Sequence, residues 1–139
     1  MLEFRWFFVF KMKSYPSILV VDDDQDLVNM LERFLKEEGY QVTKAYDGNS
    51  AIDLLETQYR PGLIFLDINM PGVDGFEVLD FVRRRYNIPV IILTEKRDIT
   101  TQSDAFARGA DDYITKPFSQ RVLLARMKAK LRRTGPIDT

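Results

Sequence analysis

The chain has 139 residues, no cysteine and no histidine, which fits one domain and excludes disulfide frameworks, thiol nucleophiles, zinc–thiolate centres and imidazole bases. Twenty basic residues against twenty-one acidic ones leave a formal charge of −1, so overall charge nominates neither nucleic acid nor an anionic surface as a partner. Chemistry is left to carboxylates, Lys and Arg, hydroxyls and backbone, and any bound metal must be a hard, oxygen-seeking ion such as magnesium.

The chain opens on an apolar segment, Trp6-Phe7-Phe8-Val9-Phe10, flanked by Glu3, Arg5 and Lys11. A membrane-spanning helix needs about 20 apolar residues, so this run is too short. It also lacks the longer apolar stretch and small-residue cleavage site of a signal peptide. Three readings stay open: an extension ahead of a natural start at Met12, an extra strand, or a sticky arm for a partner. We therefore divide the chain into an N-terminal extension of uncertain status (1–13), one compact domain (14–133) and a C-terminal tail or linker start (134–139).

From Ser17 onward short apolar runs alternate with amphipathic stretches. Ile18-Leu19-Val20-Val21 is too short for a helix and reads as a buried strand. Leu27, Val28, Leu31, Phe34 and Leu35 recur at helical spacing until Gly39 supplies the stop. A second strand spans Gln41–Ala45 and a helix follows around 50–58. Leu63-Ile64-Phe65-Leu66 is the third strand, after which Asp74 and Glu77 form a capping-box pattern that opens a helix through Arg84. Val90-Ile91-Ile92-Leu93 is the fourth strand, a helix over 99–108 ends at Gly109, and Asp112–Thr115 is a short fifth strand. Leu123, Leu124, Met127 and Leu131 mark the last helix. Five βα units with wholly apolar strands predict an α/β fold, a parallel sheet covered on both faces. In such folds ligands sit beyond the C-terminal strand ends, where strand order reverses.

Each polar residue that looks misplaced lies there. Asp22 and Asp23 follow strand one, Asp67 follows strand three, Thr94 ends strand four, and Lys116 follows strand five. Singly, each has an ordinary structural role. Asp24 or Asp26 serves the helix start, Asp67 suits the turn before Pro71-Gly72, Thr94 is a good β-former, and a lysine is usually solvated. Their joint placement argues against coincidence. Clustered carboxylates repel one another unless a divalent cation neutralises them. Asp23, Asp67 and a backbone carbonyl after Asp67 supply oxygen ligands for magnesium, with manganese as a substitute, while Asp22 suits holding one of the ion's waters. An Asp67 oxygen is then a nucleophile toward phosphorus, and Lys116 and Thr94 can stabilise the transferred charge.

At these residues the sequence resembles the receiver domains of two-component response regulators. The matching segments are 18–24 (ILVVDDD), 63–75 (LIFLDINMPGVDG), 91–94 (IILT) and 109–118 (GADDYITKPF), spread over nearly the whole chain. The resemblance implies a flavodoxin-like, doubly wound (βα)5 fold with strand order 2-1-3-4-5, an order for which the standard example is itself a chemotaxis receiver. It implies Asp67 as phosphoacceptor, Asp22, Asp23 and the Asn69 carbonyl as metal site, and Thr94 and Lys116 on the phosphoryl group. It further implies a cis peptide between Lys116 and Pro117, and Tyr113 as a switch aromatic that turns inward when Thr94 moves toward the phosphoryl group. The protein would be a cytoplasmic switch in a phosphorelay rather than an enzyme, catalysing only its own phosphorylation by a sensor histidine kinase or phosphotransfer protein and a slow aspartyl-phosphate hydrolysis. No membrane and no direct nucleic-acid contact are expected, and the basic run between Arg121 and Arg133 reads as a solvated helix face.

Segment 118–133 (FSQRVLLARMKAKLRR) resembles the subfamily that pairs through the fourth helix, fifth strand and fifth helix before a winged-helix DNA-binding domain. Asp111 or Asp112 and Arg126 match charged members of that homodimer surface. Gln102 and Val122 stand where relatives commonly place a basic and an acidic residue, which weakens the expectation of pairing. Glu95 follows the switch threonine where a small residue is usual, so it should narrow access and slow phosphorylation, with Lys96 offsetting its charge or influencing hydrolysis. Two other classes stay in view. An aspartate-nucleophile phosphatase would need a second carboxylate where Asn69 stands, and a binding module that never takes phosphate is favoured only by Glu95.

Overall fold

Three apolar runs and two mixed segments, 41–45 and 112–115, become the strands of one parallel sheet in the computed structural model, which describes residues 16–134. In chain order the elements are β1 (Ser17–Val21), α1 (Gln25–Glu37), β2 (Gln41–Ala45), α2 (Gly48–Glu56), β3 (Leu63–Leu66), α3 (Gly75–Arg85), β4 (Val90–Thr94), α4 (Ile99–Ala107), β5 (Asp112–Thr115) and α5 (Gln120–Thr134). The sheet order is β2-β1-β3-β4-β5, the flavodoxin-like order expected. Strand order reverses between β1 and β3, and there the connections leave toward opposite faces.

Side chains alternate along each strand and so feed two cores. Leu19, Val21, Ile64, Leu66, Val90 and Ile92 face a layer completed by Ala51 and Leu55 of α2, Val78, Leu79 and Val82 of α3, and Ala105 of α4. Ile18, Val20, Leu63, Phe65, Ile91 and Leu93 face the other way, against Val28, Leu31 and Leu35 of α1 and Leu123 and Met127 of α5. Burying a side chain of this size contributes about 1.5–3 kcal/mol. Because both faces are covered, the central strands β1, β3 and β4 are apolar up to their ends, where polar groups collect, whereas the edge strand β2 carries Thr43 and Lys44.

The helix starts lie at that same end. Asp24, Asp47, Asp74 and Asp98 each accept a backbone N–H of the first turn, from Leu27, Ser50, Glu77 and Thr101, and Glu77 returns the bond to Asp74 N–H in a capping box. Two boundaries differ from the sequence reading for the same reason. The second helix begins at Gly48 because Asp47 caps it, and the last begins at Gln120 because Ser119 accepts from Val122 N–H. Gly39 and Gly109 take positive φ, 100° and 105°, and close α1 and α4. Among the described residues no helix is long and apolar enough to cross a membrane. The N-terminal segment around Trp6–Phe10 lies outside the described residues.

Candidate phosphoryl-transfer site

Register brings the carboxylates together. Val21 pairs with Leu66, so the next residues on these strands, Asp22 and Asp67, emerge side by side. Their backbones continue the ladder: Asp22 N–H donates to the Ala45 carbonyl at 3.1 Å and Asp67 N–H to that of Val21 at 3.0 Å. Lys116 arrives from β5, where Thr115 pairs with Thr94 and Lys116 N–H donates to the Thr94 carbonyl at 2.8 Å. The Lys116–Pro117 peptide is cis.

The Lys116 ammonium donates to Asp22 Oδ2 at 2.6 Å and to Asp67 Oδ2 at 3.3 Å. The remaining oxygens take backbone donors, Asp24 N–H on Asp22 Oδ1 at 2.9 Å and Asn69 N–H on Asp67 Oδ1 at 3.0 Å. Asp22 and Asp67 are buried, while Asp23 and Asn69 are exposed. Burial pushes the Asp22 carboxyl up to about 6; hydrogen bonds from Lys116 and Asp24 N–H oppose the rise, and the nearby Asp67 charge adds to it. Burial pulls the Lys116 ammonium down, but the Asp22 hydrogen bond and the charges of both aspartates outweigh it and hold the group above its ordinary value. Lys116 therefore stays charged at neutral pH.

One carboxylate oxygen from each of Asp22, Asp23 and Asp67 lies within 4.8 Å of the other two. With all three ionised the cluster carries three negative charges against the single Lys116 cation, and its donors are all hard oxygens. This donor set fits a divalent cation of the magnesium type, approached from the exposed Asp23 side.

Thr94 is fully buried at the end of β4, and its hydroxyl accepts from Lys96 N–H at 3.4 Å. Tyr113 is turned inward and largely buried, its hydroxyl donating to the Lys96 carbonyl at 2.8 Å. Glu95 and Lys96 are exposed where the chain leaves β4. Asp111 and Asp112 take different directions. Asp111 accepts from Arg83 of α3 at 2.5 Å and from Val90 N–H at 2.8 Å, whereas Asp112 pairs with Arg126 of α5 at 2.9 Å. A groove of about 390 Å³ opens between α4, β5 and α5, lined in part by Gln102, Tyr113, Phe118, Val122 and Arg126.

Two contributors were not singled out from sequence. Gly75 packs its Cα against the Asp67–Ile68 backbone, where an added Cβ would lie 2.3 Å from the Asp67 carbonyl oxygen. Arg97 reaches across the site's rim to the Lys116 carbonyl at 2.7 Å. Gly75 belongs to the quoted 63–75 segment, so a signal for it existed; for Arg97 no sequence pattern distinguishes a loop cation that reaches back from one that is solvated.

Residues 18–128 match the family described as the response regulator receiver domain. Among solved structures, the receiver domain of the Francisella response regulator 1452 is 35% identical, with a TM-score of 0.81 over 86% of this chain and 99% of that one. A two-component response regulator from Clostridium difficile is 32% identical, with a TM-score of 0.82 over 86% of this chain and 98% of its own. The BeF3-activated N-terminal receiver domain of RstA from Klebsiella pneumoniae is 29% identical, with a TM-score of 0.79 over 84% of this chain and 98% of that chain.

Proposed function

The chain belongs to the response regulator receiver domain family of two-component signalling, and from that premise we propose that Asp67 accepts a phosphoryl group from a phosphohistidine on a sensor histidine kinase or phosphotransfer protein. The observation that carries this reading is the convergence of Asp22, Asp23, Asp67 and the Lys116 ammonium at one point. An Asp67 carboxylate oxygen attacks phosphorus in line with the departing nitrogen. The O–P bond forms as the N–P bond breaks, and the imidazole leaves with the bonding pair and takes its proton from water.

Lys116 has to divide its hydrogen bonds between Asp22 and the arriving phosphoryl oxygens, and the Thr94 hydroxyl meets them from the next strand. Asp23, Asp67 and the Asn69 carbonyl would hold magnesium, or manganese in its place, with Asp22 behind them. When bound, the ion supplies neutralising charge for the phosphoryl oxygens. Return to the resting state is by slow hydrolysis of the aspartyl phosphate, which Lys96 at the rim influences.

Thr94 and Tyr113 form the switch pair, shifting the population of states already accessible to the domain. The readout surface is the groove between α4, β5 and α5, lined in part by the exposed Val122, with Ile99 and Phe106 exposed elsewhere on α4. A homodimer through that face would have to break or share the Asp112–Arg126 pair, while Asp111 remains with Arg83. The domain occupies 14–133 and works in the cytoplasm, where its kinase partner presents the phosphohistidine.

The test is direct. Incubated with magnesium and acetyl phosphate, the protein should gain one phosphoryl mass, and Asp67→Asn should gain none. A wild-type protein that never acquires the adduct would instead be a binding module on the same fold.

A further inference from the structure

The end of β4 and the loop leaving it are fastened to β5 and Lys116 at three points. Lys116 N–H donates to the Thr94 carbonyl at 2.8 Å, the Tyr113 hydroxyl to the Lys96 carbonyl at 2.8 Å, and Arg97 Nη2 to the Lys116 carbonyl at 2.7 Å. The first bond follows from the strand register and would form with almost any sequence. The second exists only while the Tyr113 ring is inside. The third depends on the side chain at position 97, because it needs a long donor that turns back over the rim.

Arg97 is exposed, so burial does not hold it in this direction; the carbonyl does. Its own carbonyl accepts from Gln102 Nε2 at 3.1 Å, which joins the same loop to α4. Lys116 is consequently gripped at both ends, its ammonium by Asp22 and Asp67 and its carbonyl by Arg97. The loop that offers Tyr113 its acceptor and the residue that would meet the phosphoryl group are thus tied by one guanidinium.

We propose that Arg97 is a positioning residue, whose bond to the Lys116 carbonyl holds the β4–α4 loop where it keeps Tyr113 inside before any phosphoryl group arrives. Without that tie the Lys96 carbonyl is held by the long Lys96 N–H bond to Thr94 Oγ1 and by the Gln102 bond to the Arg97 carbonyl, and the acceptor that rewards the inward Tyr113 rotamer is less firmly placed. A charge-assisted bond at a partly solvated position biases such an equilibrium by about two- to ten-fold. Ligands that favour the inward state then bind more weakly when the tie is cut, by at most that factor, because apparent affinity follows the fraction of molecules already inward. The inference rests on the reading of Tyr113 and Thr94 as the switch pair.

The full chain labelled with 13Cζ-tyrosine tests it, with the Tyr113 resonance assigned through Tyr113→Phe. In the free protein Arg97→Ala should move that resonance toward the solvent-exposed position, and Arg97→Lys, which retains one donor, should restore part of the shift. The magnesium–beryllofluoride concentration that half-saturates the protein should rise in Arg97→Ala, by at most about ten-fold, with the thermal midpoint unchanged. A Tyr113 resonance identical in wild type and Arg97→Ala overturns the proposal, as does equal loss in the Ala and Lys variants. If the wild type fails to bind beryllofluoride, the phosphoacceptor reading fails, yet the free-protein resonance still decides the role of Arg97.

Discussion

The Lys116 ammonium lies nearer to Asp22 Oδ2, at 2.6 Å, than to Asp67 Oδ2, at 3.3 Å. In the resting site it therefore serves mainly to offset a buried carboxylate, and the proposed phosphoryl transfer would have to draw it toward Asp67. On the proposed function, Lys116→Ala removes the cation that would meet developing charge on the phosphoryl oxygens. Loss of one such preorganised donor costs about 100-fold or more in rate. Labelling by acetyl phosphate at saturating magnesium should slow by that order, and an unchanged rate would remove Lys116 from the chemistry.

Asp22 gives the site a pH dependence of defined sign. Its carboxyl titrates at about 6 in the folded chain against an ordinary 3.8, so between these values the folded state binds the extra proton. The contribution to stability is complete below about pH 4, falls as pH rises, and is gone above pH 6. A difference of this size corresponds to roughly 3 kcal/mol. A bound cation favours ionised Asp22, so magnesium should release a proton fraction near pH 6 and none near pH 8. Potentiometric titration in weak buffer measures this; equal release at both values would mean that Asp22 is not coupled to the metal.

Sequence made the strands and the acidic trio legible because both follow from strict rules. A strand buried on both faces cannot hide an apolar run, and Val21–Asp22 and Leu66–Asp67 mark the abrupt end of two of them. Three strands, Gln41–Ala45, Leu63–Leu66 and Asp112–Thr115, have the expected bounds. Helix starts were less legible, since a single capping residue such as Asp47 or Ser119 competes with several neighbours of similar propensity. Side-chain destinations were least legible. Asp111 and Asp112 are adjacent and chemically alike, yet the first turns to Arg83 and the second to Arg126, a choice made where the chain enters β5, Asp111 preceding the strand and Asp112 opening it.

Glu95 is exposed beside the site's rim, next to the cations Lys96 and Arg97. Its charge repels an anionic phosphodonor through water, an effect of about two- to five-fold in rate at low salt that fades as salt screens it. Glu95→Ala should therefore be labelled faster by acetyl phosphate at about 50 mM salt, where the Debye length exceeds about 10 Å, and converge with wild type at about 1 M, where it is about 3 Å. Identical rates at low salt would remove Glu95 from access control.

Gly72 in the β3–α3 loop and Gly75 at the start of α3 should respond oppositely in the chemistry. A Cβ on Gly75 would approach the Asp67 carbonyl oxygen to 2.3 Å and Ile68 Cα to 2.4 Å. Both are backbone atoms, so the loop carrying Asp67 has to move. Gly75→Ala should cost about 1–3 kcal/mol, the usual range for overpacking, and should slow labelling because the carboxylate shifts with its backbone. At Gly72 a Cβ meets nothing within 4 Å, but φ is +75°. Gly72→Ala should cost about 1–2 kcal/mol through the left-handed backbone alone, with the labelling rate preserved. Urea denaturation and acetyl phosphate labelling of the two variants separate these effects. If both lose labelling equally, the close packing of Gly75 on Asp67 does not control where the acceptor sits.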